Sequence, residues 1–222
     1  ILTEAFTTAV ADADAVTAGW DIEGTVNVNT PIRDMRRAID EHPDLLLEDF
    51  QAIGGFTMIP VEALQPDAEN QRWRTYVVRA ADDAFLRATE GRLKLIAGGY
   101  GETDEELWHA LLEDPTLAVV DSLVVPSRSG FGNSEVPFQM EGVFYEDETM
   151  SPIDLEVREP RTGQTVRVKV VGVLDRLTDG FGNFGLGMFV SRGQLEEAAP
   201  FPIPTTTYRF KVAEGVDAAR AA

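Results

Sequence analysis

Gly180, Gly182 and Gly185 satisfy the spacing G-x-G-x-x-G, which in a dinucleotide-binding turn lets the backbone approach a pyrophosphate. That chemistry needs a helix to begin directly after the turn, so that its free amides meet the phosphates. Leu186 to Val190, interrupted by Gly187, reads instead as a strand. A kinase-type loop tolerates a strand there, but it carries Val where Gly187 stands, and the catalytic-loop motifs are missing. The same tetrapeptide, Gly-Phe-Gly-Asn, occurs at Gly130–Asn133 and at Gly180–Asn183. Both copies are expected to form loop tips in which the glycines supply positive φ and the phenylalanines pack locally. A contact loop for a partner is the other use open to them, with Phe131, Asn133, Phe181 and Asn183 as the contact residues.

Other reactive side chains do not assemble into a mechanism. His42 falls at a helix end and His109 inside a helix, and neither has the spacing of a zinc motif. The chain has no cysteine, which excludes disulfides and thiolate metal sites. Ser127, Arg128 and Ser129 lie in a glycine-containing loop without the G-x-S-x-G elbow, and are read as a turn. Glu146, Asp147 and Glu148 lack the Asx spacing and Gly of a calcium loop, and are read as a solvated hairpin end. No catalytic residue, metal ligand or cofactor is assigned.

The elements that must position these residues belong to a folded, acidic chain. It has 222 residues, of which 44% are hydrophobic, and 38 acidic against 19 basic residues give a net charge of −19. The apolar content is too high for a disordered acidic tail, and a chain of this length buries most of its unfolded surface. The charge argues against nucleic acid as a partner, because phosphate binding rests on clustered Lys and Arg. No run approaches the ~20 apolar residues of a membrane-spanning helix, and no basic-then-apolar leader is visible.

Alternation predicts strands at Asp21–Asn29, Phe50–Ala63, Trp73–Ala80, Phe138–Tyr145, Ile153–Arg158, Thr165–Leu174, Leu186–Val190 and Thr206–Val212, with a buried strand at Leu117–Val125. Gly54 and Gly55 suggest a bulge or bend in the second of these. Helices are predicted from a Thr30–Pro31 start to His42, over Asp82–Thr89, and over Thr103–Leu112. In the last, Thr103 and Glu106 form a capping box. Leu2, Phe6, Val10, Ala13 and Val16 recur at helical spacing before a stop at Gly19, and Ala218–Ala222 reads as a helix cut in mid-course. Both terminal helices are expected to continue beyond the given sequence.

The run from Thr162 through Val170, Val171, Gly172, Val173 and Leu174 resembles the hairpin signature of the extracytoplasmic core domain of ABC-transporter permeases of the MacB and FtsX type. Leu186–Leu195 resembles the strand that follows in that family, and Tyr208–Val212 with Gly215, Val216 and Asp217 resembles its closing strand. The 130–150 insert and the 98–113 region depart from the pattern. The resemblance implies an α+β fold in which a porter-like α/β subdomain, 20–88 with 201–222, is built from both chain ends. A β-rich subdomain, 89–200, is inserted in it, and a stalk helix, 1–19, leads from an absent membrane span. It further implies a non-enzymatic domain on the outer side of the cell membrane. There it would transmit ATP-driven motion from a cytosolic ATPase subunit, and a second permease copy, to an unidentified substrate or partner. The residues alone leave open a secreted carbohydrate-binding protein or hydrolase with a carboxylate cleft.

Overall fold

The computed structural model describes residues 17–27, 29–129, 138–176, 187–198 and 203–221. In chain order they form β1 (Ile22–Thr25), α1 (Met35–Asp40), β2 (Phe50–Leu64), β3 (Arg74–Ala81), α2 (Asp83–Ala88), β4 (Leu93–Ile96), α3 (Asp104–Glu113), β5 (Leu117–Val120), β6 (Ile153–Arg158), β7 (Thr165–Leu174), β8 (Met188–Ser191), α4 (Arg192–Ala198), β9 (Thr207–Val212) and α5 (Ala218–Ala221). The architecture is mixed and mostly sheet with few helices, as the α+β expectation holds. No helix among the described residues is long and apolar enough to cross a membrane.

The 15 residues of β2 serve two structures. Its first half pairs with β9, which in turn pairs with β1. Its second half pairs with β3 on one side and, at Glu62–Leu64, with β6 on the other. Because β6 also pairs with β7, the order β2-β3-β8-β5-β7-β6 closes on itself as a ring of strands. Among the described strands only β3 with β8 and β5 with β7 run parallel, and such neighbours need long crossovers. Every residue of β5 and of β8 is buried, so these strands read as continuous apolar runs.

The larger apolar cluster fills the ring and the space beneath α2 and α3, with Phe85, Leu107, Trp108, Leu111, Leu155 and Phe189 inaccessible to solvent. The indole of Trp108 donates to the Gly91 carbonyl at 2.7 Å, which satisfies its buried N–H. A smaller cluster joins Ile39 of α1, Phe50 and Ile53 of β2, Tyr208 of β9 and Ala221 of α5. Strands contributed by 20–88 and by 89–200 therefore share the ring, and β2 touches both clusters.

Several expectations are corrected by the chain's own hydrogen bonds. The first helix starts at Met35 and not at Pro31, because the Thr30 amide closes a turn onto Asn27 and the Asp34 carboxylate then captures the Arg37 N–H at 3.0 Å. β5 stops at Val120, where Asp121 accepts from the Leu123 amide and turns the chain into a 3-10 turn over Ser122–Val124. Phe138–Tyr145 is not a strand. Its backbone is held by isolated bonds to Val124 and Pro126 and by the Gln65 side chain, which pairs with both peptide groups of Glu141 while Phe138, Met140 and Val143 point into the core. The irregularity in β2 lies between Phe50 and Ala52, and Gly54 and Gly55 instead permit close packing. The capping box holds in modified form. Thr103 accepts from the Glu106 amide at 3.2 Å, and the Glu106 carboxylate reaches past the cap to the Glu102 amide at 2.7 Å.

Candidate functional site

The first and last described strands lie side by side. Ile22 of β1 stands opposite Phe210 of β9, and the register runs to Thr25 opposite Thr207. The Asp21 carboxylate accepts the Val212 N–H at 2.7 Å, and the Asp21 amide donates to the Phe210 carbonyl at 3.0 Å. The start of β1 and the end of β9 are thus clamped together at one end of one strand pair.

Side chains tie this pair to the ring. Arg209 projects to the buried side of β9, 2% exposed, and its guanidinium donates to the Glu23 carboxylate at 2.7 and 2.9 Å. Burial holds the Arg209 pKa below its ordinary value, and Glu23 partly restores it. Its neighbour Arg79 on β3 is pushed down to about 10 by burial and by the Arg209 charge. Both guanidiniums lie over the Phe56 ring, at 5.2 and 5.8 Å. On the entry side Lys211 pairs with Glu90, the Glu90 amide donates to the Ala18 carbonyl, and Gly19 takes φ +77 beneath the Glu90 side chain. Trp20 then stacks on Phe85 at 5.3 Å, and Phe85 on Phe189 at 5.6 Å, so an aromatic column leads from the entering chain into the ring.

Replacing Glu23 with Gln leaves the buried Arg209 without its counter-charge next to Arg79. The expected loss is about 2 kcal/mol, below the roughly 3–5 kcal/mol of a fully buried pair because Glu23 is itself partly exposed. Amide exchange at Ile22–Thr25 should accelerate more than exchange in β5, and equal acceleration in both would contradict this coupling.

A second polar centre lies deeper. Asp121 is fully buried and its carboxylate accepts from the Tyr76 hydroxyl at 2.7 Å, the Gly187 amide at 2.9 Å and the Leu123 amide at 3.0 Å. Burial pushes the pKa of both Asp121 and Tyr76 up. Neither centre was singled out from sequence. The available signal is an Arg or Asp inside or directly after an apolar strand run, as at Arg79, Arg209 and Asp121.

The residues that were singled out lie apart. His42 is exposed beyond the end of α1, with Nδ1 accepting from the Asp44 amide at 3.3 Å, and His109 sits half-buried on α3. Ser127 donates to the Glu146 carboxylate, which also accepts the Arg128 amide at 3.0 Å, and these bonds hold Glu146 down to about 2. The acidic run is therefore tied to the serine turn and is not a hairpin end. Phe131, Asn133, Phe181 and Asn183 lie outside the described residues, as does the opening helical spacing up to Val16. Among the described residues no group of three or more His, Asp or Glu could hold a metal ion.

The run with the hairpin signature is the turn before β7 and the whole of β7, with Gly163 at φ +71. No family model matches the chain, and no curated protein matches it in sequence. Solved structures do. Three of the solved structures that it is similar to are these. One is the extracellular domain of the noncanonic ABC-type transporter YknZ from Gram-positive bacteria, at 10% identity and TM-score 0.43 over 83% of this chain and 75% of that one. Another is the periplasmic region of MacB from Actinobacillus actinomycetemcomitans, at 8% identity and TM-score 0.48 over 96% and 84%. A third is a domain of a protein described as a permease from Porphyromonas gingivalis, at 13% identity and TM-score 0.45 over 88% and 74%.

Proposed function

We propose that this chain is the extracytoplasmic domain of an ABC-transporter permease, anchored at the cell membrane, that passes ATP-driven motion of membrane helices to a substrate or partner outside. The observation that carries the reading is the pairing of β1 with β9, which brings the first and the last described strand together at one edge of the sheet. A domain set between two membrane helices needs that arrangement. The hairpin signature at Thr162–Leu174 supports it from the sequence side.

On this reading the cytosolic ATPase subunit acts through the membrane part, a second permease copy stands beside it, and the domain itself performs no catalysis. The grouping of 20–88 with 201–222 as a porter-like unit, with 89–200 inserted, belongs to the same proposal. Sequencing the parent gene tests it: apolar spans of about 20 residues are expected directly before Ile1 and after Ala222. Soluble neighbours on both sides would end the reading.

Phe131 and Phe181, with Asn133 and Asn183, are proposed as partner contacts. Replacing both phenylalanines with Ser is expected to leave the melting temperature within a few degrees and to weaken transport in the parent protein. A large loss of stability would assign them to the core.

A further inference from the structure

We propose that the cavity beside β2 is a binding site for a small aliphatic molecule with an uncharged, hydrogen-bonding head. The inference stands apart from the transport reading. β2 pairs with β9 as far as Phe56 and with β6 from Glu62 onward, so residues 57–61 have no strand partner on that side among the described residues. The Asp82 amide donates to the Gly55 carbonyl, which places the odd-numbered residues of β2 in the bonds toward β3. Met58 and Pro60 therefore turn their peptide groups into the gap.

A cavity of about 460 Å³ opens at this gap, between β2, the β6–β7 turn, Leu195 of α4 and the chain at Ile203 and Pro204. That volume falls within the roughly 300–1,000 Å³ of small-molecule pockets, which favour the mouths of strand barrels. Its apolar lining is aliphatic, from Ile59, Val61, Val157, Val166, Leu195 and Ile203, and no aromatic ring stands among the described lining residues. An added peptide strand does not fit, because a continuous ladder needs a donor at position 60 and Pro60 has none. Charge narrows the head group. The only charged residues among the described ones at the wall are Glu159 and Arg161, which pair with each other at 3.0 Å, and the surrounding chain carries −19. A carboxylate head would meet no free cation there and would be repelled by the chain as a whole. The Gln164 side chain at the wall instead offers a donor to a hydroxyl.

The test titrates 1-octanol into the full chain, followed by calorimetry and by amide chemical shifts. Saturable binding is expected, with shifts centred on 57–61 and 157–166, and octanoate is expected to bind about tenfold more weakly or worse. Ile59→Trp, which fills the cavity from a half-buried position, should abolish binding without changing the circular dichroism spectrum. Leu195→Trp fills it from the opposite wall and serves where the first variant does not fold. Absence of saturable binding overturns the proposal, as does octanoate binding equal to octanol, or binding that survives a folded filling variant. Concentration-dependent self-association that either Trp variant abolishes would reassign the cavity to a second copy of the chain.

Discussion

Adding one methyl group at Gly54 is expected to lower the melting temperature by about 6–12 °C, corresponding to about 3 kcal/mol in a chain of this size. A Cβ built there lies 2.5 Å from Phe85 Cα and 2.7 Å from Phe85 N. Those are backbone atoms in the first turn of α2, so no rotamer change relieves the overlap. The helix must lift, and Phe85 leaves its stack between Trp20 and Phe189. The opposite face is equally close, since a Cβ on Gly55 would meet Thr205 Cγ2 at 2.4 Å. Gly98→Ala is the control: nothing lies within 4 Å of its Cβ, and its melting temperature should be unchanged or slightly higher. Thermal unfolding by circular dichroism checks both, and a Gly54→Ala protein as stable as the parent would show that α2 does not rest on β2 as described.

Asp121→Ala is expected to cost about 4 kcal/mol, because three donors lose a shared buried acceptor and such losses run at about 1–3 kcal/mol each with incomplete additivity. Asp121→Asn keeps one acceptor oxygen and should recover part of the loss in denaturant titration. Both variants also differ from the parent in their response to pH. Burial raises the Asp121 pKa, with the bonds from Tyr76 and Gly187 opposing it, so the folded state holds this proton to higher pH than the unfolded chain does. Stability from this group is therefore greatest below the ordinary carboxylate value of about 4 and declines as pH rises through the raised one. Glu146 has the opposite sign. Held down to about 2, its contribution is present above about 4.5 and is lost as pH falls toward 2. The Asn variant should flatten the decline above pH 4 and leave the acid limb intact; loss of the acid limb would refute this assignment.

Local chemistry was legible wherever the sequence itself held the deciding pattern. β6 and β7 fall at the residues that alternation assigns, and α2 and α3 begin at the caps Asp82 and Thr103. Gly19 takes the positive φ expected of it. What could not be read were decisions made by distant partners. Phe138–Tyr145 alternates like a strand, yet the Gln65 side chain takes the place of a neighbouring strand. Gly54 looks like a bulge until the start of α2 is laid against it. Ring closure depends on Glu62–Leu64 meeting Glu156–Arg158, a pairing between segments more than ninety residues apart that no local period encodes. The buried Asp121 and Arg209 were hidden for the same reason, since their partners Tyr76 and Glu23 lie far along the chain.

The clamp between Asp21 and Val212 has a mechanical consequence. A force that spreads the start of β1 from the end of β9 would load the ladder from Ile22–Phe210 toward Thr25–Thr207 in sequence, peeling it open one rung at a time. A force that carries both strand ends in the same direction loads no rung singly and is spread through β9 along the length of β2. The strand pair is therefore weak against separation and stiff against joint displacement, a mechanical anisotropy set by register alone.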